Sequence, residues 1–222
     1  MNKEKKISGY ELSEEEPARV EEPLLALQPL NLDHPKRYTY ADYLEWFDDV
    51  QRELIDGAIH LMSAPNEIHA RLSQIINWFL MLFVKQNKGK CRIYHAPFDV
   101  RLPKNNETSD NEIYNVVQPD LCVVCDLSKL DERGCIGAPD LIVEVLSPAT
   151  SKKDRNEKFY LYEDSGVREY WMVDPKTKTV NTFILKPDGK YDSGKVYEGY
   201  QKVPVYIFQG LEIDLIEMFE DL

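Results

Sequence analysis

The chain has 222 residues, of which 43% are hydrophobic and 11% aromatic, so it can bury one sizeable core and is not typical of a disordered chain. The formal net charge is −12, which disfavours tight, non-specific nucleic-acid binding because Lys and Arg make the phosphate contacts. No run of about 18 apolar residues predicts a membrane span. Four Cys without an apolar leader segment favour a reducing, cytoplasmic location.

The first 35 residues differ in composition from the rest of the chain. They contain acidic stretches that end in proline, at residues 13–17 and 21–23, and they lack an amphipathic period. Such segments bury too little apolar surface to fold by themselves. We therefore expect a flexible acidic arm over residues 1–35 and one folded domain over residues 36–222.

The folded domain is predicted to begin with a helix and a hairpin. Thr39 can cap a helix together with Asp42, and the apolar side chains around them share one helical face: Tyr40, Tyr43, Leu44 and Phe47. Residues 53–59 then form two short apolar segments around Asp56–Gly57. This pair favours a tight hairpin turn because Gly accepts a positive φ.

A long helix and a series of strands follow. Apolar residues recur at three- and four-residue spacing from Ile68 to Phe83, and Lys88–Gly89 can end this helix. A second helix is predicted over residues 151–165, closed by Gly166. Strands are predicted at residues 92–102, 113–125, 140–146, 167–173, 180–185, 202–208 and 211–215, with a loop over 105–111. This order predicts an α/β (α+β) domain in which helices flank a mixed β-sheet.

Three of the acidic residues on the predicted strands, Asp120, Asp140 and Glu144, are candidates for a shared metal ion. Asp140 and Glu144 share one strand face, but at about 3.3 Å per residue they lie roughly 13 Å apart. That distance excludes a shared hard cation, whose oxygen ligands lie at about 2.0–2.6 Å. Glu144 therefore needs a partner from another strand, and Asp120 is the natural one if the two strands are neighbours. Asp120 alone can also be a solvated strand end, whereas a buried Glu is rare unless it is paired or binds a metal.

Five blocks of sequence, in this order, resemble a bacterial protein family. They are residues 53–57, 98–102, 119–124, 137–150 together with Asp154 and Lys158, and 166–175. The family is usually called the putative restriction endonuclease family, a branch of the PD-(D/E)XK nuclease superfamily. The resemblance implies a restriction-endonuclease-like fold, in agreement with the order of the predicted elements.

The resemblance also implies a set of site residues. Asp120 stands at the Asp of the PD motif, and Glu144 stands at the acidic position of (D/E)XK. The Lys expected two residues after Glu144 is Leu146 in this chain, and Lys158 of the following helix is implied in its place. Glu53 is implied as a further catalytic carboxylate.

From the residues alone, other roles stay open for two of these side chains. Lys158 could form an ordinary surface ion pair with Asp154, its neighbour one helical turn away. Lys152 and Lys153 are weaker alternatives to Lys158. Glu53 could be a solvated hairpin residue.

The implied activity is the hydrolysis of phosphodiester bonds in DNA by a metal-dependent endonuclease. Asp120, Glu144 and the backbone carbonyl of Val145 would hold Mg²⁺ or Mn²⁺, which carboxylate oxygens suit better than softer metals. A homodimer is expected by the same resemblance. The alternative is a non-catalytic nuclease-fold protein that binds nucleic acid or a protein partner, which the charge of −12 and Leu146 favour.

Cysteine and histidine residues suggest no competing site. Cys122 and Cys125 have the spacing of zinc ligands, but residues three apart on a strand face opposite sides. Cys91 and Cys135 are expected to be structural or incidental. His69, at the start of the long helix, is expected to be structural or to lie on the surface.

Overall fold

The computed structural model describes residues 36–105, 109–147, 154–220 and 222. The predicted acidic arm, residues 1–35, lies outside the described residues, as do Lys152 and Lys153. Within the described ranges the chain mixes helices and strands, which confirms the predicted α+β class. No helix in these ranges is long and apolar enough to cross a membrane.

Within the described ranges, short strands outnumber the helices. In chain order they are β1 (Arg52–Ile55), β2 (Ala58–Leu61), β3 (Arg92–His95), β4 (Val100–Arg101), β5 (Val116–Val117), β6 (Leu121–Val124), β7 (Leu130–Asp131), β8 (Gly134–Ile136), β9 (Leu141–Val145), β10 (Glu169–Asp174), β11 (Thr179–Ile184), β12 (Lys195–Tyr197), β13 (Lys202–Pro204) and β14 (Glu212–Asp214). The helices are α1 (Tyr40–Tyr43), α2 (Glu67–Gln86), α3 (Phe159–Ser165) and α4 (Leu215–Met218). A 3₁₀ turn covers Leu127–Lys129, and a π-helical turn, Asp154–Lys158, leads directly into α3.

The strands form two six-stranded sheets where the order of elements predicts one mixed sheet. The first sheet has the order β2-β1-β5-β4-β8-β7, and the second has the order β12-β11-β10-β9-β6-β3. Both are mixed, because β4 pairs with β8 and β9 with β10 in parallel among antiparallel neighbours. β13 and β14 form a separate hairpin. In the described residues no strand pairing joins the two sheets, and β4, β5 and β8 bury apolar side chains against a face of the second sheet.

The predicted helix cap and the first hairpin are confirmed. Thr39 and Asp42 form the capping box of α1, and the hairpin β1–β2 turns at Asp56 and Gly57, which have φ values of 50° and 79°. Helix α1 has only four residues, so the predicted apolar face does not extend along the chain. Phe47, placed on that face by its spacing, lies beyond the helix and is 94% exposed.

The long helix α2 lies over one face of the second sheet. Asn66 caps its N-terminus, and its apolar stripe is buried through Leu72, Ile76 and Leu80. Ile68, in the first turn, is 41% exposed, so the buried part of the stripe begins one turn later than its spacing predicts. The stripe packs against the second sheet and the C-terminal hairpin in one continuous apolar cluster.

Alternate residues of β9 point into two different cores. Val143 and Val145 belong to the cluster that contains α2, whereas Ile142 and Leu146 pack with Tyr162 of α3 on the other face. Because side chains alternate along a strand, Glu144 belongs to the face of Ile142 and Leu146. An acidic side chain is thereby directed into an apolar layer.

Cys122 and Cys125 lie on opposite faces of the sheet, as their spacing of three residues on a strand predicts. Cys122 is buried in the cluster that contains α3, and Cys125 packs against the cluster that contains α2, so the two do not form a zinc pair. Cys91, just before β3, and Cys125, just after β6, form a disulfide, a bond that the expected reducing location disfavours. Cys122 and Cys135 are free buried thiols, and burial raises the pKa of Cys135 to about 11.

Candidate active site

Asp120 and Glu144 stand at the same end of two neighbouring strands. β6 and β9 pair antiparallel with Leu121 opposite Val143, so Asp120, one residue before β6, meets the end of β9 that carries Glu144. The backbone N–H of Val145 donates to Oδ2 of Asp120 at 2.7 Å. Asp120 and Glu144 therefore lie on neighbouring strands, as the distance between Asp140 and Glu144 requires.

Asp140 stays at the opposite end of β9. Its Oδ2 accepts the N–H of Cys125 at 2.8 Å, and its Oδ1 accepts a hydrogen bond from Arg168 at 2.9 Å. Both contacts tie neighbouring segments to the sheet. The exclusion of Asp140 as a partner of Glu144, argued from strand length, agrees with this placement.

Lys158 is buried between two carboxylates. Its Nζ lies 2.8 Å from Oε1 of Glu53 and 2.8 Å from Oε1 of Glu144. Lys158 is 3% exposed, Glu144 4% and Glu53 0%. The surface ion pair for Lys158 and the solvated hairpin position for Glu53 are therefore both excluded. A buried ion pair of this kind needs close geometry and further hydrogen bonds to offset its desolvation.

Those further hydrogen bonds are present on both carboxylates. The backbone N–H of Gln118 donates to Oε1 of Glu53 at 3.0 Å, and the hydroxyl of Tyr162 donates to Oε1 of Glu144 at 2.7 Å. Burial, and then the charges of Glu144 and Glu53, raise the pKa of Tyr162 well above its usual value. The hydroxyl thus keeps its proton and remains a donor to Glu144. The sequence pattern gave no signal for Tyr162, which lies on an apolar helix face.

Leu146 occupies the position where the superfamily pattern has Lys. It is 5% exposed and packs in the apolar cluster with Ile142 and Tyr162. An ammonium there would lie in this apolar layer, where burying an unpaired charge is costly. Lys158 instead approaches Glu144 from the turn before α3.

All four predicted catalytic residues line one cavity of about 980 Å³. Its formally charged side chains are the carboxylates of Glu53, Asp120 and Glu144 and the ammonium of Lys158, so the formal charge of the described wall is −2. Among the described lining residues no other Lys or Arg is present. The remaining wall is largely apolar and includes Ile59, Leu61, Met62, Ala64, Pro65, Ala96 and Pro97. The described cavity wall therefore offers no cluster of Lys and Arg side chains for phosphate groups, in line with the acidic net charge of the chain.

His69 also lines this cavity, although sequence reasoning assigned it a structural or surface position. Its Nε2 lies 3.0 Å from Oδ2 of Asp120, and its side chain is 16% exposed. The position of a lone His at a helix start carries no signal of such a contact. Only the packing of α2 beside β6 brings the two side chains together.

The donor atoms at the strand ends fit a hard divalent cation. Within the described ranges no group of three or more His, Cys, Asp and Glu side chains is arranged to hold a metal, but Mg²⁺ is commonly bound by one or two carboxylates and several waters. Asp120 and Glu144 supply two carboxylates. Leu146 donates its N–H to Val173 on β10 at 2.8 Å, so the backbone groups of Val145 face the other side of β9, toward Asp120. The carbonyl of Val145 can therefore complete an all-oxygen set.

Two mixed sheets with a Pro-Asp acid beside a second strand acid, and a buried lysine from the turn before α3, give the chain an α+β fold of nuclease-like type. The chain belongs to the family described as "Putative restriction endonuclease", whose model matches residues 40–216. This match confirms the family resemblance of the sequence blocks.

Two similar proteins accompany the family match. A crystal structure described as a "putative nuclease belonging to DUF820" from Anabaena variabilis superposes with a TM-score of 0.64 at 21% identity. The match covers 82% of this chain and 97% of that chain, and it supports the fold. An uncharacterized protein of Synechocystis sp. is 28% identical over 155 residues, which are 68% of this chain and 75% of that protein.

Proposed function

We propose that the chain is a metal-dependent endonuclease that hydrolyses phosphodiester bonds in DNA. The observation that carries the proposal is the buried ammonium of Lys158 between Glu53 and Glu144, on the wall of a cavity that also holds Asp120. Buried ion clusters of this kind contribute little to stability relative to apolar packing. Ionisable groups that converge in a cleft are typical of catalytic sites.

Asp120, Glu144 and the carbonyl of Val145 are the groups that would hold Mg²⁺ or Mn²⁺. When bound, such an ion neutralises charge on the scissile phosphate and lowers the pKa of a water molecule. Asp120 is held for this task by the N–H of Val145. Glu144 is held by the hydroxyl of Tyr162.

Lys158 orients the reacting groups in this proposal. The carboxylates of Glu53 and Glu144 hold its Nζ in place, each at 2.8 Å. Its N–H groups donate to the attacking water or to a non-bridging phosphate oxygen, where negative charge increases in the transition state. Glu53 fixes Lys158, and Gln118 in turn fixes Glu53.

The second candidate is a non-catalytic nuclease-fold protein that binds nucleic acid or a protein partner. The formal charge of −2 on the described cavity wall favours a protein partner over DNA, since DNA binding gains a large share of its affinity from phosphates neutralised by Lys and Arg. Leu146, in place of the motif Lys, favours the non-catalytic protein as well. The two candidates differ in whether bound DNA is cut.

A homodimer is part of the proposal, because two sites are needed to cut both strands of a duplex in one binding event. The molar mass in solution, measured by light scattering coupled to gel filtration, tests it. A mass near twice the chain mass of 25.9 kDa is expected.

The decisive experiment is nicking of supercoiled plasmid DNA with Mg²⁺ or Mn²⁺. We expect the wild type to nick the plasmid and a chelator to stop it. Glu144→Gln should lower the rate by more than about 100-fold, since groups that merely orient metal ligands already contribute about 10–100-fold. Glu212→Gln, on the exposed side of β14, is the matched control and should cut like the wild type.

A gel-shift assay in the presence of chelator separates the two candidates. Binding of DNA without any nicking in either metal would support the non-catalytic protein and overturn the nuclease. Equal nicking by wild type and Glu144→Gln would place the catalytic carboxylates elsewhere.

A further inference from the structure

His69 reaches the candidate active site from the first turn of α2. Its Nε2 lies 3.0 Å from Oδ2 of Asp120, and the two side chains are 16% and 15% exposed. Both residues line the cavity that contains Glu144 and Lys158. The contact is therefore part of the cavity wall and not an ion pair on the outer surface.

The backbone of α2 holds His69 in place. Oδ1 of Asn66 accepts the N–H of His69 at 2.9 Å as the helix cap, and Oγ of Ser73 donates to the His69 carbonyl oxygen at 3.0 Å. Leu72, in the same turn, is fully buried in the core. A side chain on a packed helix positions its partner more accurately than one on a loop.

Two donors from different elements meet at one oxygen of Asp120. The N–H of Val145 on β9 donates to Oδ2 at 2.7 Å, and Nε2 of His69 contacts the same Oδ2. With its proton on Nε2, the imidazole is a donor to this carboxylate. Two such contacts restrict rotation of the carboxylate group and fix the direction of its lone pairs.

We infer that His69 is a positioning residue, which holds the carboxylate of Asp120 in the orientation that binds the divalent cation. This inference rests on the proposed function, because it assigns His69 to the cation site of that reaction. A merely structural contact between α2 and β6 would stabilise the fold and leave cation affinity unchanged. The two roles therefore differ in a quantity that needs no catalysis to measure.

The test is a titration of the full chain with Mn²⁺ in the absence of DNA. The electron paramagnetic resonance signal of free Mn²⁺ measures how much of the ion is bound. His69→Leu fills the space without a donor, and we expect it to weaken Mn²⁺ binding by about 10–100-fold, the range for groups that orient metal ligands. His69→Gln retains a side-chain N–H and should bind closer to the wild type. Thermal unfolding of each variant reports separately on the fold.

Three comparisons make the result decisive. Lys85→Gln, exposed near the end of the same helix, should bind Mn²⁺ like the wild type. Unchanged affinity in His69→Leu, with affinity lost in Asp120→Asn, would overturn the inference and leave the proposed function intact. Equal and negligible binding in wild type and Asp120→Asn would overturn the proposed cation site itself. If His69→Leu does not fold, His69→Ala, which also lacks a donor, is judged by the same criteria.

Discussion

The Nζ atom of Lys158 lies 2.8 Å from Oε1 of Glu53, so the turn before α3 and the first hairpin of the domain are joined at the candidate site. The same Nζ lies 2.8 Å from Oε1 of Glu144 on β9. Three segments that are distant in sequence thus converge on one buried charge. Each segment supplies one formally charged group, and the opposite charges together offset the cost of removing these groups from water.

Removing the ammonium group of Lys158 should destabilise the protein strongly. Lys158→Met leaves Glu53 and Glu144 buried without a compensating charge, and we expect a loss of about 3–5 kcal/mol in the free energy of unfolding. Urea unfolding followed by circular dichroism measures it. Lys186→Met, which removes an exposed pair with Asp188, should cost less than about 1 kcal/mol. Equal losses in the two variants would contradict the buried ion cluster.

Alkaline pH should reveal the environment of Tyr162. Burial and the charges of Glu144 and Glu53 raise its pKa well above the usual 10.0, so the folded chain retains a proton that the unfolded chain releases. Because the folded state then binds more protons, the free energy of unfolding should fall as the pH rises above about 10. Tyr40, whose pKa burial and Asp99 raise to about 12, adds to the same trend.

The contribution of Tyr162 can be isolated by substitution. In Tyr162→Phe the decline in stability with pH should be shallower by up to about 1.4 kcal/mol per pH unit. Urea unfolding at several pH values between neutral and strongly alkaline conditions measures the slope. Tyr200→Phe, at a site that is 89% exposed, is the control. A slope that does not change in Tyr162→Phe would disagree with this assignment.

Reduction of the Cys91–Cys125 disulfide should lower stability. The bond links residues 34 apart in sequence, and a crosslink that closes a loop of this size contributes about 3–4 kcal/mol in the chain-entropy model. Unfolding in urea with and without dithiothreitol measures the difference. The double variant Cys91→Ser/Cys125→Ser should not respond to the reductant. Four reactive thiols in the unfolded, unreduced wild type would rule out the crosslink.

Glu169 provides a test of a buried carboxylate outside the cavity. It is 0% exposed and accepts hydrogen bonds from the N–H groups of Trp171, Tyr206 and Ile207. Glu169→Gln turns an amide group toward these donors and should cost about 1–3 kcal/mol in the free energy of unfolding. Mn²⁺ binding should stay at the wild-type level, unlike that of Glu144→Gln. If Glu169→Gln also weakens Mn²⁺ binding, the loss of binding in Glu144→Gln would reflect damage to the fold and not the loss of a metal ligand.

Local sequence signals were sufficient for several elements and for the exclusion of Asp140 as a partner of Glu144. Asp56–Gly57 selects the turn of the first hairpin because both positions need a positive φ. The period of the apolar residues defines α2, and the strand rise separates Asp140 from Glu144. These features depend on neighbours within one or two turns of chain, so the sequence contains them directly.

Other features depend on contacts between distant segments and have no local signal. The two-residue strand β7 and the short strands β8 and β12 are too brief to show a period, and their pairing partners create them. His69 and Tyr162 acquire their roles only when helices dock beside Asp120 and Glu144. The burial of Glu169 is another such case, because its donors come partly from the segment after β13.

The convergence of Glu53, Glu144 and Lys158 has a consequence during synthesis of the chain. A ribosome completes both acids before it reaches the lysine, and domains fold as units during synthesis. Until Lys158 has emerged and packed, the two carboxylates lack their cation and favour hydrated, open conformations. A product terminated between β9 and α3 therefore keeps Glu53 and Glu144 but cannot assemble the pocket. We expect any hydrolytic competence to be confined to chains whose synthesis has passed α3.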